Sequence, residues 1–135
     1  MMAMTGKCLC GSVSYSVSGE PQMSGVCHCK NCQRQSGSAY SVLFAVADDQ
    51  LNLEGDLTTY EDTSDTGNTV ERHFCGKCGS PLLSTLPTQP GVTFVKAGTL
   101  DDTSHLDPQM HFWTKSAQNW VEIDADVPQI PGNPG

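Results

Sequence analysis

The sequence predicts a mainly β domain with short helical turns, and its apolar pattern carries that prediction. Apolar residues alternate with serines over residues 12–17, which is the period of a half-buried strand. A longer apolar and aromatic run covers residues 39–46 and is typical of a buried strand. Long stretches with the 3.6-residue period of an amphipathic helix are missing from the sequence.

Later segments have the same β-type composition, because they are rich in β-branched and aromatic residues. These predicted strands cover residues 57–61, 69–74, 92–97 and 120–123. Clusters of Gly, Pro, Asp and Ser separate them and predict turns. Helical structure is expected only as short turns, after Cys32 and around residues 101–105.

The length of 135 residues fits one domain with one core. We expect residues 1–128 to form this single domain and residues 129–135, which are rich in Pro and Gly, to form an extended or frayed tail. Only 37% of the residues are hydrophobic. A bound metal is therefore expected to contribute to the stability of the fold.

The charge and the apolar pattern together exclude several kinds of partner. The formal net charge is −8, and such an acidic surface repels phosphate, so nucleic acid is not expected as a direct partner. The N-terminus lacks the basic and apolar regions of a signal peptide, and no apolar stretch is long enough to span a membrane. These features predict a cytoplasmic protein, in which thiols stay reduced and cysteine clusters bind metal.

The seven cysteines fall into three groups whose spacings suit metal binding, and their odd number argues against a disulfide framework. If Cys8 and Cys10 lie in a strand, they project to the same face and can reach one ion. A C-x-x-C turn likewise brings two sulfurs to one ion, and Gly79 allows the backbone to turn after the last pair. The groups are Cys8 with Cys10, Cys27 with Cys29 and Cys32, and Cys75 with Cys78.

Two ways of sharing these cysteines between two metal ions are open. The spacing favours one ion held by Cys27, Cys29 and Cys32, which leaves the other four for a second ion. The rival arrangement joins Cys8 and Cys10 to Cys29 and Cys32 and leaves Cys27 with the last pair. Both give one closed four-thiolate site and one open three-thiolate site, the latter resembling a catalytic zinc. A purely structural role for all seven cysteines also remains open.

At these motifs the chain resembles the glutathione-dependent formaldehyde-activating enzyme family, which includes centromere protein V. The matching segments are residues 6–15, 27–37, 74–82, 97–102 and 111–116. The resemblance implies the Mss4-like fold, a largely β architecture folded around two zinc ions. It also implies that Cys8, Cys10, Cys75 and Cys78 hold the structural zinc, and that Cys27, Cys29 and Cys32 hold the functional one.

The same resemblance implies carbon–sulfur lyase chemistry, the interconversion of S-(hydroxymethyl)glutathione with glutathione and formaldehyde. A zinc ion with three thiolates suits this role, because it would hold a substrate thiolate as its fourth ligand. We therefore expect a zinc-dependent lyase with Cys27, Cys29 and Cys32 as the catalytic group and a small thiol such as glutathione as partner. The alternative is a non-catalytic zinc module that binds a small thiol or a protein. The sequence leaves the oligomeric state open.

Other residues near these motifs have simpler expected roles. His28 lies between two predicted ligands and is expected to be structural, since an extended segment would point it away from them. Arg34 could bind a substrate carboxylate or lie on the surface. His111 is expected to pack in the core near a strand. Trp113 and Trp120 are expected to be core aromatics.

Overall fold

The computed structural model describes residues 4–64 and 67–132. Within them, one α-helix, α1 (Lys30–Ser36), and three short 3₁₀ turns accompany eleven strands. The 3₁₀ turns are Asp48–Gln50, Ala97–Thr99 and Thr114–Ser116. The strands are β1 (Met4–Lys7), β2 (Ser14–Val17), β3 (Met23–Cys27), β4 (Ser41–Ala47), β5 (Leu51–Glu54), β6 (Leu57–Thr63), β7 (Thr69–Cys75), β8 (Pro81–Thr85), β9 (Val92–Lys96), β10 (Met110–Phe112) and β11 (Gln129–Ile130).

The strands form two sheets. The smaller is antiparallel with the order β1-β2-β5. The larger has the order β11-β10-β3-β4-β9-β8-β7-β6. In the larger sheet β10 pairs in parallel with both β3 and β11, and the remaining pairs are antiparallel.

The hydrophobic core lies between the small sheet and one face of the large sheet. Tyr15 and Val17 of β2 belong to the same buried cluster as Phe44 of β4 and Val95 of β9. Successive residues of a strand point to opposite faces. The alternate residues of β4 and β9 therefore lie on the other face of the large sheet, away from this core.

Strand pairing places a defined set of residues on that second face. Ala45 pairs with Phe94, Phe94 pairs with Ser84, and Ser84 pairs with Arg72, so these four residues form one row across β4, β9, β8 and β7. Next to this row, Lys96 on β9 pairs with Leu43 on β4. Two basic residues thus share a face with apolar ones.

The mainly β fold with short helical turns is confirmed. Five of the predicted segments contain strands, which are β2, β4, β6, β7 and β9. The strand predicted at 120–123 is wrong, because residues 119–120 form a turn and no strand follows directly. The helical turn after Cys32 is part of α1, which begins two residues earlier. The turn expected at 101–105 forms at residues 104–105, where Leu106 N donates to Thr103 O over 3.0 Å, but it is not helical. The nearby 3₁₀ turn precedes it, at Ala97–Thr99.

The C-terminal segment predicted as a tail contributes its first two residues to the large sheet. β11 pairs with β10, and His111 N donates a hydrogen bond of 2.9 Å to Pro128 O. Residues 133–135 of that segment lie outside the described part of the chain, so the boundary at residue 128 stays a prediction. No helix in residues 4–64 and 67–132 is long and apolar enough to cross a membrane.

Candidate functional site

Four of the cysteines meet where two tight turns face each other. Cys8 and Cys10 lie in the turn that follows β1, so the expectation that a strand aligns them was wrong. Gly11 closes that turn with a φ of 80° and donates from its N to Cys8 O over 3.1 Å. A turn can bring both sulfurs to one side even though the strand has ended.

The second turn begins at the end of β7. Cys75 is the last residue of this strand, and Cys78 lies in the turn that leads to β8. Gly79 has a φ of 81°, in the region that favours glycine, and its N donates to Cys75 O over 2.8 Å. This is the role that the sequence predicted for the glycine.

The four sulfurs have the spacing of a tetrahedral thiolate site. All four lie within 4.8 Å of one another. Cys10 Sγ is 3.7 Å from both Cys8 Sγ and Cys75 Sγ. A tetrahedral zinc with Zn–S bonds of about 2.3 Å requires sulfurs about 3.8 Å apart. The donor set and its spacing therefore fit a zinc ion.

Neighbouring groups donate hydrogen bonds to these sulfurs, and at Cys10 and Cys78 they stabilise the charged form of the thiol. The N–H groups of Val13 and Lys77 donate to the sulfurs of Cys8 and Cys75, over 3.3 and 3.4 Å. The hydroxyl of Ser80, 3.3 Å from Cys78 Sγ, and the Ser80 backbone lower the pKa of Cys78 to about 5. The Ser12 hydroxyl and backbone lower the pKa of Cys10 in the same way. Deprotonated thiols are the form that binds metal.

Three further cysteines meet where β3 ends and α1 begins. Cys27 is the last residue of β3, and Cys29 caps the N-terminus of α1 by accepting a 3.2 Å hydrogen bond from Cys32 N. The sulfurs of these three residues lie within 4.8 Å of one another. The structure thus forms the partition that the spacing favoured, and the rival pairing of Cys29 and Cys32 with the N-terminal pair is not formed.

Gln33 fixes the position of α1 above the sheet. Its buried side chain donates from Nε2 to His28 O over 2.7 Å and to Ser116 O over 3.0 Å. Its Oε1 accepts a 2.6 Å hydrogen bond from Gln118 Nε2. These bonds join α1 to β3 and to the segment after β10. The helix therefore holds Cys32 at a defined place beside Cys27.

Two buried cations lie beside the three-cysteine group, on the second face of the large sheet. Lys96 is 7% exposed and donates from Nζ to Ser41 Oγ over 2.6 Å, and Ser41 pairs with Cys27 in the sheet. Arg72 is 5% exposed and donates from its Nε to Asp62 Oδ2 over 2.9 Å, and its positive charge lowers the pKa of Cys32. Buried cations of this kind need negative partners, and the thiolates provide them.

The three cysteines differ in how readily their thiols lose a proton. Hydrogen bonds from Cys27 and Cys29, followed by the charges of Lys96 and Arg72, lower the pKa of Cys32 to about 2. Hydrogen bonds to Cys29 and Cys32, followed by burial, raise the pKa of Cys27 above its ordinary value. The group therefore ionises first at Cys32. A divalent cation would allow the other two sulfurs to lose their protons, because it binds the thiolate form.

A cavity of about 600 Å³ opens beside these three sulfurs. Cys27, Cys29 and Cys32 line it together with Lys96 and Arg72. The four sulfurs of the first group are not among its lining residues. One cysteine group therefore has three ligands and borders a space of the size that small-molecule sites have, whereas the other has four ligands and does not line this space.

The other predicted site residues lie away from this cavity. His28 is fully buried, and its Nε2 lies 2.8 Å from Nδ1 of His111, with the two rings stacked. Burial lowers the pKa of both imidazoles, aided at His28 by the charge of His111, so the pair favours the neutral state. These contacts support a structural role for His28 and agree with the expected packing of His111. Arg34 is exposed and does not line the cavity.

The two tryptophans differ in position. Trp113 lines the cavity with a φ of 57° and carries Lys115 Nζ 5.0 Å from its ring centroid. Trp120 is 70% exposed, so its assignment to the core was wrong. It follows the turn at 119–120, where no strand forms to hold it inward.

Sequence reasoning missed Lys96 and Arg72. Each lies within a segment that was predicted as a strand, and Lys96 follows the apolar residues Phe94 and Val95. A charged residue inside a buried strand needs a partner, since burying an unpaired charge is costly. A charged residue within an apolar strand segment was therefore the signal that could have identified Lys96. Its partner on the sheet could be identified only from the strand register.

Comparisons with known proteins agree on one family. The profile of the family described as glutathione-dependent formaldehyde-activating enzyme matches residues 3–116. A protein from Halomonas elongata named as a putative member of this enzyme class is 29% identical over 130 residues, covering 92% of this chain and 83% of that protein. A protein of the same name from Aspergillus flavus is 25% identical over 107 residues, and the match covers 76% of this chain and 56% of the fungal protein.

A solved structure shares the fold. The crystal structure of a Rhodobacter sphaeroides protein aligns with a TM-score of 0.59 at 23% sequence identity. The alignment covers 76% of this chain and 92% of that protein. At this identity the likeness concerns the fold alone.

Proposed function

The chain belongs to the glutathione-dependent formaldehyde-activating enzyme family, and from that premise we propose that it is a zinc-dependent carbon–sulfur lyase acting on the adduct of a thiol with formaldehyde. The observation that carries the proposal is the position of Cys27, Cys29 and Cys32 on the wall of the cavity. A site with three thiolates leaves a position for a substrate. The neighbouring cavity gives a substrate room to reach it.

Two zinc ions per chain are part of this proposal. Cys8, Cys10, Cys75 and Cys78 would hold a structural zinc, and Cys27, Cys29 and Cys32 would hold the functional one. The functional zinc would supply a positive centre that keeps a thiol deprotonated at neutral pH. The sulfurs have the required number and closeness at both places.

The chain's own residues would stabilise the anions of the reaction. In the forward direction a thiolate sulfur adds to the carbonyl carbon of formaldehyde. A carbon–sulfur bond forms as the carbon–oxygen π bond breaks, and the resulting alkoxide takes a proton from water. The reverse direction breaks that bond and returns the thiolate and formaldehyde. Lys96 and Arg72, which line the same cavity, would stabilise the negative charge on sulfur and on the developing alkoxide.

We also propose a reducing compartment, the cytoplasm, and a small thiol as the partner. All seven cysteines are free thiols in the structure, as a metal-binding role requires. Glutathione is the first thiol to test, because the family description and the names of the relatives specify it. The chain spans just over half the length of the Aspergillus relative.

Exchange NMR tests the reaction directly. A solution of glutathione, formaldehyde and their adduct interconverts without protein, and exchange spectroscopy measures that background rate. Zinc-loaded protein is expected to raise the rate, and Cys29→Ser is expected to abolish the gain while leaving the fold intact. Free zinc at the same concentration is the control for metal released from the protein.

The outcomes separate the two functions that the sequence left open. A rate above background that Cys29→Ser removes supports the lyase. Glutathione binding with an unchanged rate would make the protein a thiol carrier. If no small thiol binds or exchanges, the lyase proposal fails and a structural zinc module replaces it.

A further inference from the structure

The cavity beside the three cysteines has an apolar wall. Leu43 and Ala45 of β4 and Phe94 of β9 lie on the second face of the large sheet and line the cavity next to Lys96. Leu43 and Phe94 are half-buried, so part of each side chain is available to a bound molecule. Along β9 the cavity wall therefore changes within two residues, from the charged Lys96 near the sulfurs to the apolar Phe94.

Four further residues extend this apolar surface. Phe112 of β10 and Trp113 directly after it line the cavity, and so do Leu86, which follows β8, and Val92, which begins β9. Aromatic and aliphatic walls of this kind favour the burial of apolar surface, at about 25 cal/mol for each Å² removed from water. A ligand with its sulfur at the cysteines would place the rest of its atoms among these side chains.

The two cations of the cavity are already engaged close to the cysteines. Lys96 Nζ donates to Ser41 Oγ, and Arg72 Nε donates to Asp62 Oδ2. Glutathione carries two carboxylates and an ammonium group in addition to its thiol. The other polar side chains that line the cavity, among them Gln22, Asn68, Thr88 and Gln89, are uncharged. A carboxylate placed against Leu43 and Phe94 would therefore exchange its hydration for uncharged donors at most, which offset only part of the cost.

We propose that the cavity selects a thiol whose remaining part is apolar and uncharged, such as an alkyl or arylalkyl thiol, in preference to glutathione. This inference rests on the proposed function only for the position of the sulfur at Cys27, Cys29 and Cys32. It concerns the substrate class, and it holds or fails by the relative binding of apolar and charged thiols.

The test compares thiols that differ only in the group attached to sulfur. Isothermal titration of zinc-loaded protein, with the quenching of tryptophan fluorescence as a second readout, would measure the affinities of 2-phenylethanethiol, glutathione and 2-mercaptoethanol. Trp113 lies in the cavity wall and reports on its occupancy. We expect 2-phenylethanethiol to bind at least about tenfold more tightly than either other thiol, since burial of a phenyl group provides that difference. Tighter binding of glutathione would overturn the proposal.

A matched pair of variants locates the apolar contact. Phe94→Thr keeps a β-forming residue on β9. It is expected to weaken the binding of 2-phenylethanethiol at least about fivefold, while the affinity for 2-mercaptoethanol changes by less than about twofold. Tyr60→Thr removes an aromatic ring from β6 that is 62% exposed and outside the cavity, and is expected to change neither affinity. If Phe94→Thr does not fold, Leu43→Thr takes its place. Unchanged 2-phenylethanethiol affinity in the folded variant would overturn the proposal.

Exchange NMR with formaldehyde separates this inference from the lyase itself. If the apolar thiol binds selectively but exchanges at the background rate, the inference stands and the lyase activity fails. If glutathione is both the tighter ligand and the faster substrate, the lyase stands and the inference is overturned.

Discussion

Replacing Cys10 is expected to destabilise the whole domain, because the four-cysteine group joins the two sheets. Cys8 and Cys10 follow β1 of the small sheet, whereas Cys75 ends β7 of the large one. Cys10 is exposed, so Cys10→Ser removes a sulfur ligand without leaving a hole in the core. Cys8 and Cys75 are 2% and 1% exposed, so replacing either would combine the loss of a ligand with a change in core packing.

The size of the effect follows from the binding energy of such a site. Structural zinc contributes on the order of 10–16 kcal/mol in zinc-finger peptides, so one of four ligands accounts for about 3 kcal/mol. This is a large part of the 5–15 kcal/mol that typically stabilises a domain. For a chain of this length, a loss of about 3 kcal/mol lowers the melting temperature by about 10 °C.

Cys29→Ser is the matched control for this prediction. Serine is a preferred N-cap residue, so the replacement keeps the cap of α1 while removing a sulfur from the three-cysteine group. Thermal melts followed by circular dichroism, with zinc present, are expected to show a shift for Cys29→Ser of less than about 3 °C. Equal losses in the two variants would refute the division into a structural and a functional site, and so would a larger loss in Cys29→Ser.

Three further predictions test the metal and the cavity. Elemental analysis of gently purified protein is expected to approach two zinc ions per chain, and folded protein with almost no zinc would contradict both sites. Lys96→Gln is expected to weaken thiol binding in calorimetry by about tenfold, because the site loses a buried positive charge, while Lys7→Gln at the exposed end of β1 leaves it unchanged. On acidification the three-cysteine site is expected to release its metal at the higher pH, because protons compete for thiolates as pH falls and three sulfur ligands hold an ion less firmly than four. A zinc-responsive dye would show two release steps, and a persisting first step in Cys27→Ser would contradict this assignment.

Much of the fold was predictable because its signals are local. The alternation up to Val17 and the apolar run ending at Val46 identified β2 and β4. The segment at 120–123 has β-type residues as well, yet it forms no strand, and Trp120 remains exposed. A sheet partner decides whether such a segment becomes a strand, and pairing over long distances is not visible in composition.

The cysteine partition was predictable for a different reason. Cys27, Cys29 and Cys32 are close enough in sequence to meet within one strand end and one helical turn, which favoured their grouping but left the rival partition open. The structure brings the other four together. The mechanism assumed for the N-terminal pair was nevertheless wrong, since a turn and not a strand aligns Cys8 and Cys10.

The surroundings of the site depend on register and were not predictable. Arg34, which lies near the cysteines in sequence, is exposed, whereas Arg72 reaches Cys32 from a strand forty residues later in the chain. The row that joins Ala45, Phe94 and Ser84 to Arg72 exists only in the paired sheet. This row determines which cations and which apolar side chains surround the sulfurs.

The central claim is that the three-cysteine site accepts a thiolate from outside the chain, and cadmium NMR tests it most directly. Protein loaded with ¹¹³Cd in place of zinc is expected to give two signals, and loss of one in Cys29→Ser assigns the three-cysteine site. Added thiol should move only that signal, toward the position of the four-thiolate site, because a fourth sulfur joins the metal. If saturating 2-phenylethanethiol and glutathione both leave the two signals in place, the site does not bind substrate thiolate and the account is contradicted.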